Sequence, residues 1–138
     1  MRQEFIIPGE PKGKSRPRVV NRNGHSMAFT PKDTVLYENM VKWVYTEKCG
    51  HRFPDDAALR VKIIAFYKIP KSVSKKKHRE MIEQTILPTK KPDADNIAKI
   101  ICDSLNGVAY RDDAQVVECR INKVYSDDPK VYVEIEEV

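Results

Sequence analysis

From Asp95 to Asn106 the apolar residues recur at helical spacing. Ile97, Ile100, Ile101 and Leu105 fall on one face, and Asp95, Lys99, Asp103 and Asn106 on the opposite face. Such a helix can settle in one way only, with the isoleucine face down on a core and the charged face held outward. The pattern predicts a helix over residues 96–106, with Asp95 placed to cap it and Gly107 to end it in a left-handed turn. Just before it, Lys91-Pro92-Asp93-Ala94-Asp95-Asn96-Ile97-Ala98-Lys99 sets two carboxylates two residues apart. Beyond the glycine turn, Asp112-Asp113 supplies a second acidic pair. A fold that joins the pairs would gather up to four carboxylates. At about 4 Å and an effective dielectric of about 20, each like-charged pair costs on the order of 4 kcal/mol unless a cation sits among them.

The remaining chain gives this helix a sheet to lie on. Residues 2–7 read as a strand closed by Pro8-Gly9. Asn23-Gly24, flanked by Val19-Val20 and Met27-Ala28-Phe29, signals a hairpin, with the exact turn left open by the longer spacing. Thr30-Pro31-Lys32-Asp33 opens a helix, by a capping hydroxyl, a proline in the first turn and an acid at the positive end of the dipole. Leu36, Met40, Trp43 and Val44 are the expected core stripe of that helix, which should end near Cys49-Gly50. Residues 59–67 carry apolar side chains on both sides of their centre, as a central strand buried on both faces would. Residues 72–84 are basic and then helical, with Met81 and Ile82 as anchors. Val117, Cys119 and Ile121 alternate with polar neighbours as a half-buried strand, and Val131, Val133 and Ile135 form a last strand, expected to pair with it as a hairpin. The sum is a single α+β domain over residues 1–138: a mixed sheet of about five strands with two or three helices.

Composition narrows the function. No apolar run approaches the roughly 20 residues a membrane span needs, and the N-terminus lacks a signal-peptide pattern, so a cytoplasmic protein is expected. The three cysteines, Cys49, Cys102 and Cys119, cannot all pair and lack zinc spacing, so reduced thiols are expected. Cys49 and His51 form an isolated C-x-H without further ligands, and His25 and His78 are equally solitary. The net charge is +5. Lys12, Lys14, Arg16 and Arg18 form one basic block, Lys71, Lys75, Lys76, Lys77 and Arg79 another, and Lys90-Lys91 a third. Basic blocks around a compact acidic centre suit a polyanion held over metal ions.

The acidic stretch itself has the donors Mg²⁺ prefers, since carboxylate oxygens leave positions open for phosphate and water. Metal-bound water is the better nucleophile, and the ion offsets charge on the transition state. Lys99, one turn beyond Asp95, projects from the same face and can contact a phosphate, orient water or balance the acids. The plainer alternative is an ordinary i,i+4 Asp95–Lys99 pair worth a few tenths of a kcal/mol, with Asp103 and Asn106 solvated or capping. A calcium loop is excluded, because its fifth and sixth positions hold Ile97 and Ala98 where a polar ligand and glycine are required.

The motif Lys91-Pro-Asp-Ala-Asp-Asn-Ile-Ala-Lys99, then Asp103-Ser-Leu-Asn-Gly-Val108, then Asp112-Asp113-Ala-Gln-Val116, resembles the RusA family of Holliday-junction resolvases. The basic opening Pro11-Lys-Gly-Lys-Ser-Arg-Pro-Arg18 is similar to that family's as well. The resemblance implies a small homodimeric endonuclease, bacterial or phage-borne, that needs Mg²⁺ or Mn²⁺, binds four-way DNA junctions and nicks two opposed strands symmetrically. It implies Asp93, Asp95 and one of Asp112-Asp113 as metal-binding carboxylates, with Asp113 favoured and Asp112 as support, and Lys99 as the catalytic lysine. The loop from Lys12 to Arg18 would contact DNA. Charge alone adds Lys75, Lys76, Lys77, Lys90 and Lys91 to the DNA-contacting set. Another Mg²⁺ phosphohydrolase, or a junction-binding protein without catalysis, are the alternatives.

Overall fold

The structure is a computed structural model that describes residues 1–14, 18–29 and 31–138, with backbone alone at residues 18, 20, 22 and 27–29. The fold is α+β. Strands β1 (Arg2–Pro8), β4 (Leu59–Lys68), β5 (Val116–Ser126) and β6 (Lys130–Glu137) form a mixed sheet in the order β1-β6-β4-β5. Strands β2 (Arg18–Arg22) and β3 (His25–Phe29) form a separate hairpin. Helices α1 (Lys32–Lys48), α2 (Lys75–Ile82) and α3 (Ala94–Ser104) complete the described residues.

One sheet face is buried beneath the helices. On it Phe5, Ile7, Val61, Ile63, Ala65, Val131, Val133 and Ile135 are at most 3% exposed. They meet Ile97, Ile100 and Ile101 of α3 and Val41 and Tyr45 of α1 in one core. Tyr45 packs edge-on against Phe5, with ring centroids 5.3 Å apart. The opposite sheet face is half-exposed and charged, with Arg60 bridging Glu118 and Glu136.

Several expectations are corrected. The last two strands do not pair with each other. β4 lies between them, antiparallel to β6 and parallel to β5. The link from Ser126 to Lys130 crosses the end of β4, and its four Cα steps reach about 13 Å, enough to span two strand spacings of about 4.8 Å each. β4 is central as expected, but it is fully buried on one face only, with Lys62 exposed and Ile64 and Phe66 partly covered. Val117 is exposed because the pairing shifts beside it, with Leu59 opposite Val116 and Arg60 opposite Glu118, so the strand bulges there.

On α1 the expected stripe holds in part: Val44 is buried and Met40 packs partly buried against the core, but Leu36 and Trp43 do not join them. Thr34, Tyr37, Val41, Val44 and Tyr45 face the core, while Leu36 and Trp43 are 59% and 65% exposed. Two apolar stripes compete on this helix, and the one with two tyrosines lies in the core. Thr30 lies outside the described residues, and Pro31 is the N-cap. On α2 only Met81 is buried; Ile82, about 100° further round, is exposed. The hairpin turn is Asn23-Gly24 alone, both at positive φ, because Asn21, Arg22, His25 and Ser26 also join the ladder.

Candidate active site

Helix α3 sets one side of the site. It starts at Ala94, two residues before the expected start. Asp93, not Asp95, is the N-cap residue, and its carboxylate makes no cap hydrogen bond. Asp93 and Asp95 are thus both exposed at the helix start, where the dipole favours negative charge. Lys99 stands one turn on, but it pairs forward: Lys99 Nζ lies 3.3 Å from Asp103 Oδ2. Among the described residues, Asp95 has no ion-pair partner, so the plain Asp95–Lys99 pair does not form.

The N-terminal loop closes over this helix. Gly13 is pressed against it, since a Cβ there would sit 3.0 Å from the Cβ atoms of both Pro92 and Asn96. Lys14 N donates to Asn96 O at 3.0 Å. The Lys14 side chain then runs inward, with Nζ 2.9 Å from Glu38 of α1 and 3.6 Å from Asp103 of α3. Burial alone would release its proton more easily, but Glu38 and Asp103 outweigh that, and the ammonium holds its proton more tightly than usual. Lys12 pairs with Asp33 at 3.2 Å.

The second acidic pair is fixed by the turn after α3. Gly107 takes a φ of 76°, as a left-handed turn requires. Buried Tyr110 donates to Cys102 O at 2.6 Å. Gln115 Nε2 donates to Pro54 O and Ala57 O, each at 3.0 Å. Asp112 and Gln115 then form a reciprocal capping box around the 3-10 turn Asp113–Gln115. Asp113 N donates to Asn106 Oδ1 at 2.7 Å. This brings Asp113 against Asp112 and Asp103. Partial burial and those two carboxyls push the Asp113 pKa up to about 6, while sharing a proton with Asp113 and accepting from Ala114 N hold Asp112 low.

Asp93 sits at the other end of α3, near Tyr67. Burial first, and then the charges of Asp93 and Glu10, raise the Tyr67 pKa to about 12, and its hydroxyl donates to Pro92 O at 2.6 Å. The second acidic pair therefore meets Asp103, while Asp95 lies eight residues back along the helix, about 12 Å along its axis. Among the described residues, no three His, Cys, Asp or Glu side chains converge tightly enough to hold a metal.

Of the basic residues, Lys75, Lys76, Lys77, Lys90 and Lys91 are exposed. Arg16 lies outside the described residues, and only the backbone is described at Arg18. Asp103 and Asn106 join the acidic turn to α3 and its lysines. Asp103 touches both lysines and Asp113, and Asn106 holds the Asp113 backbone. Their place on the Asp95–Lys99 face carried that signal. Glu38 and Glu10 had none, because both are remote in sequence.

Exposed Asp93 and Asp95, Lys99 paired with Asp103, and the exposed lysines make a charged surface of the kind that suits a phosphate ester. The chain belongs to the RusA family: the family model described as endodeoxyribonuclease RusA matches residues 8–136, nearly all of it. It is also 38% identical over 141 residues to the uncharacterized protein YqaN of Bacillus subtilis (strain 168), covering 98% of this chain and 96% of that one. The family is one of endodeoxyribonucleases. Its divalent ion suits the acids here by donor chemistry, since all are oxygens. Burial first, and then the Asp112 and Asp103 carboxyls, hold the Asp113 proton up to about pH 6, and a cation would offset both.

Proposed function

We propose that residues 1–138 act as one RusA-like domain, a Mg²⁺-dependent endodeoxyribonuclease that also accepts Mn²⁺. It binds four-way DNA junctions as a homodimer and resolves them by paired symmetric nicks, in recombination and repair, in the cytoplasm of a bacterium as a host or phage gene product. The observation that supports this most is the charged face of α3. It carries Asp95, Lys99 and Asp103 outward, with Asp113 packed against its end, in a chain of an endodeoxyribonuclease family.

In this reading Asp93 and Asp95 would hold the ion at the start of α3, and Asp113, supported by Asp112, would join them once the turn that carries it moves along the helix toward Asp95. When bound, the ion offsets phosphate charge and lowers the pKa of its water. Lys99 is 61% exposed at its side chain, and Asp103 restrains it by a single contact. It donates to a non-bridging oxygen of the scissile phosphate. Lys14, already held by Glu38 and Asp103, fixes the loop rather than reading DNA. Lys75, Lys76, Lys77, Lys90 and Lys91, together with Arg16 and Arg18, contact the backbone, and Lys12 joins them on leaving Asp33. Phosphate contacts of this kind dominate affinity. Two cuts on opposed strands need two sites related by a two-fold axis, which a homodimer supplies.

Asp95→Asn tests the site assignment. It removes a ligand charge with little change of shape, so the variant should bind a junction as wild type does and leave it uncut. Normal cutting by this variant would overturn the assignment of Asp95.

A further inference from the structure

Two thiols lie between the acid-bearing segments. Cys102 is buried on α3, three residues beyond Lys99, and Cys119 is exposed on β5, which begins just after Asp113. α3 packs against β5, which sets the two thiols near enough for each to act on the other's proton. The pair is asymmetric: Cys119 is an exposed residue and Cys102 a buried one. Cys49 stands apart, its thiol turned to Glu4 O at 3.7 Å.

We propose that Cys102 and Cys119 form a dithiol site that hydroperoxides oxidise to an intramolecular disulfide. Cys119 is the attacking sulfur, since it is the accessible one. Contact with Cys102 outweighs partial burial and lowers its pKa to about 7, which raises its thiolate fraction at neutral pH. Its electron pair displaces the O–O bond of the peroxide and forms a sulfenic acid, and the departing oxygen takes a proton and leaves as water or alcohol. The Cys102 sulfur then gives up its proton, attacks the Cys119 sulfur and expels the hydroxyl as water. Two thiols lose two hydrogens, and one hydroperoxide is reduced by two electrons. The bond so formed ties the helix that carries Lys99 to the strand that follows Asp113.

The test is peroxide titration of the reduced protein, alkylation of the remaining thiols, and mass spectrometry of the intact chain and its peptides. A Cys102–Cys119 linked peptide is expected, with loss of the mass of two hydrogens and reversal by dithiothreitol. It should form unchanged in Cys49→Ser and be absent in Cys119→Ser, whose exposed site tolerates the change. In Cys102→Ala, a sulfenic acid should be trapped at Cys119 by a dimedone probe. Three results would overturn the proposal: oxidation confined to Cys49, Cys119 advancing to the sulfinic acid while Cys102 stays alkylatable, or linkage only between two chains.

Discussion

Lys14 Nζ lies 3.6 Å from Asp103, a contact that joins the N-terminal loop to the helix carrying Lys99. The same ammonium is 2.9 Å from Glu38, so one partly buried cation serves two acids on two helices. Lys14→Met leaves both carboxylates without it. The variant should lose about 1–2 kcal/mol, the usual cost of removing a charged hydrogen bond, measured by urea unfolding. Because Lys14 is occupied, the salt dependence of junction binding should be unchanged. Lys76→Ala, by contrast, should lower the slope of log K against log salt by about 0.9.

Gly13 is required by space rather than by backbone angle. An added Cβ would lie 3.0 Å from Pro92 and Asn96 at the start of α3. Gly13→Ala should therefore lift the loop off the helix, costing about 1–2 kcal/mol and slowing cleavage several-fold while junction affinity changes little. Stability, affinity and single-turnover cleavage of the variant check this.

Asp113 holds its proton up to about pH 6, well above the ordinary carboxylate value of 3.8. The folded state therefore binds this proton more tightly than the unfolded chain. The stability it contributes is present at low pH and is lost as pH rises through that window. Asp113→Asn removes the loss. The variant should melt higher than wild type at pH 7 and like it near the lower end of the window. Mg²⁺ should raise the melting temperature of wild type at pH 7 but not that of the variant.

Leu36 and Trp43 were expected in the core and lie outside it. Leu36→Lys and Trp43→Glu should each change stability by no more than about 0.5 kcal/mol. Val41→Ala, at a fully buried site on the same helix, should cost about 2 kcal/mol. Denaturant midpoints of the three variants decide between the two faces.

How much the sequence disclosed follows the range of each signal. The α3 core face was legible because it repeats within three turns, and the Asp112-Asp113 turn because Gly107 must precede it. The α1 face was not, because Leu36 and Trp43 are as apolar as Tyr37 and Tyr45, and only the sheet decides which set is covered. The position of β6 was missed for the same reason. A short link normally makes a hairpin, and nothing local says that β4 fills the gap between β5 and β6. In the site, Asp103 was visible on the right face, yet its partner Lys14 lies nearly ninety residues earlier, brought there by Gly13.

The central claim is paired cleavage of a four-way junction. Label each strand of a synthetic junction in turn and incubate it with the purified protein in Mg²⁺ and in EDTA, at low and at physiological salt. The account predicts nicks at symmetric positions on two opposed strands in Mg²⁺, none in EDTA, and none in Mg²⁺ with Asp95→Asn. An uncut junction in Mg²⁺ at every salt concentration would contradict it, as would cutting of linear duplex with equal efficiency.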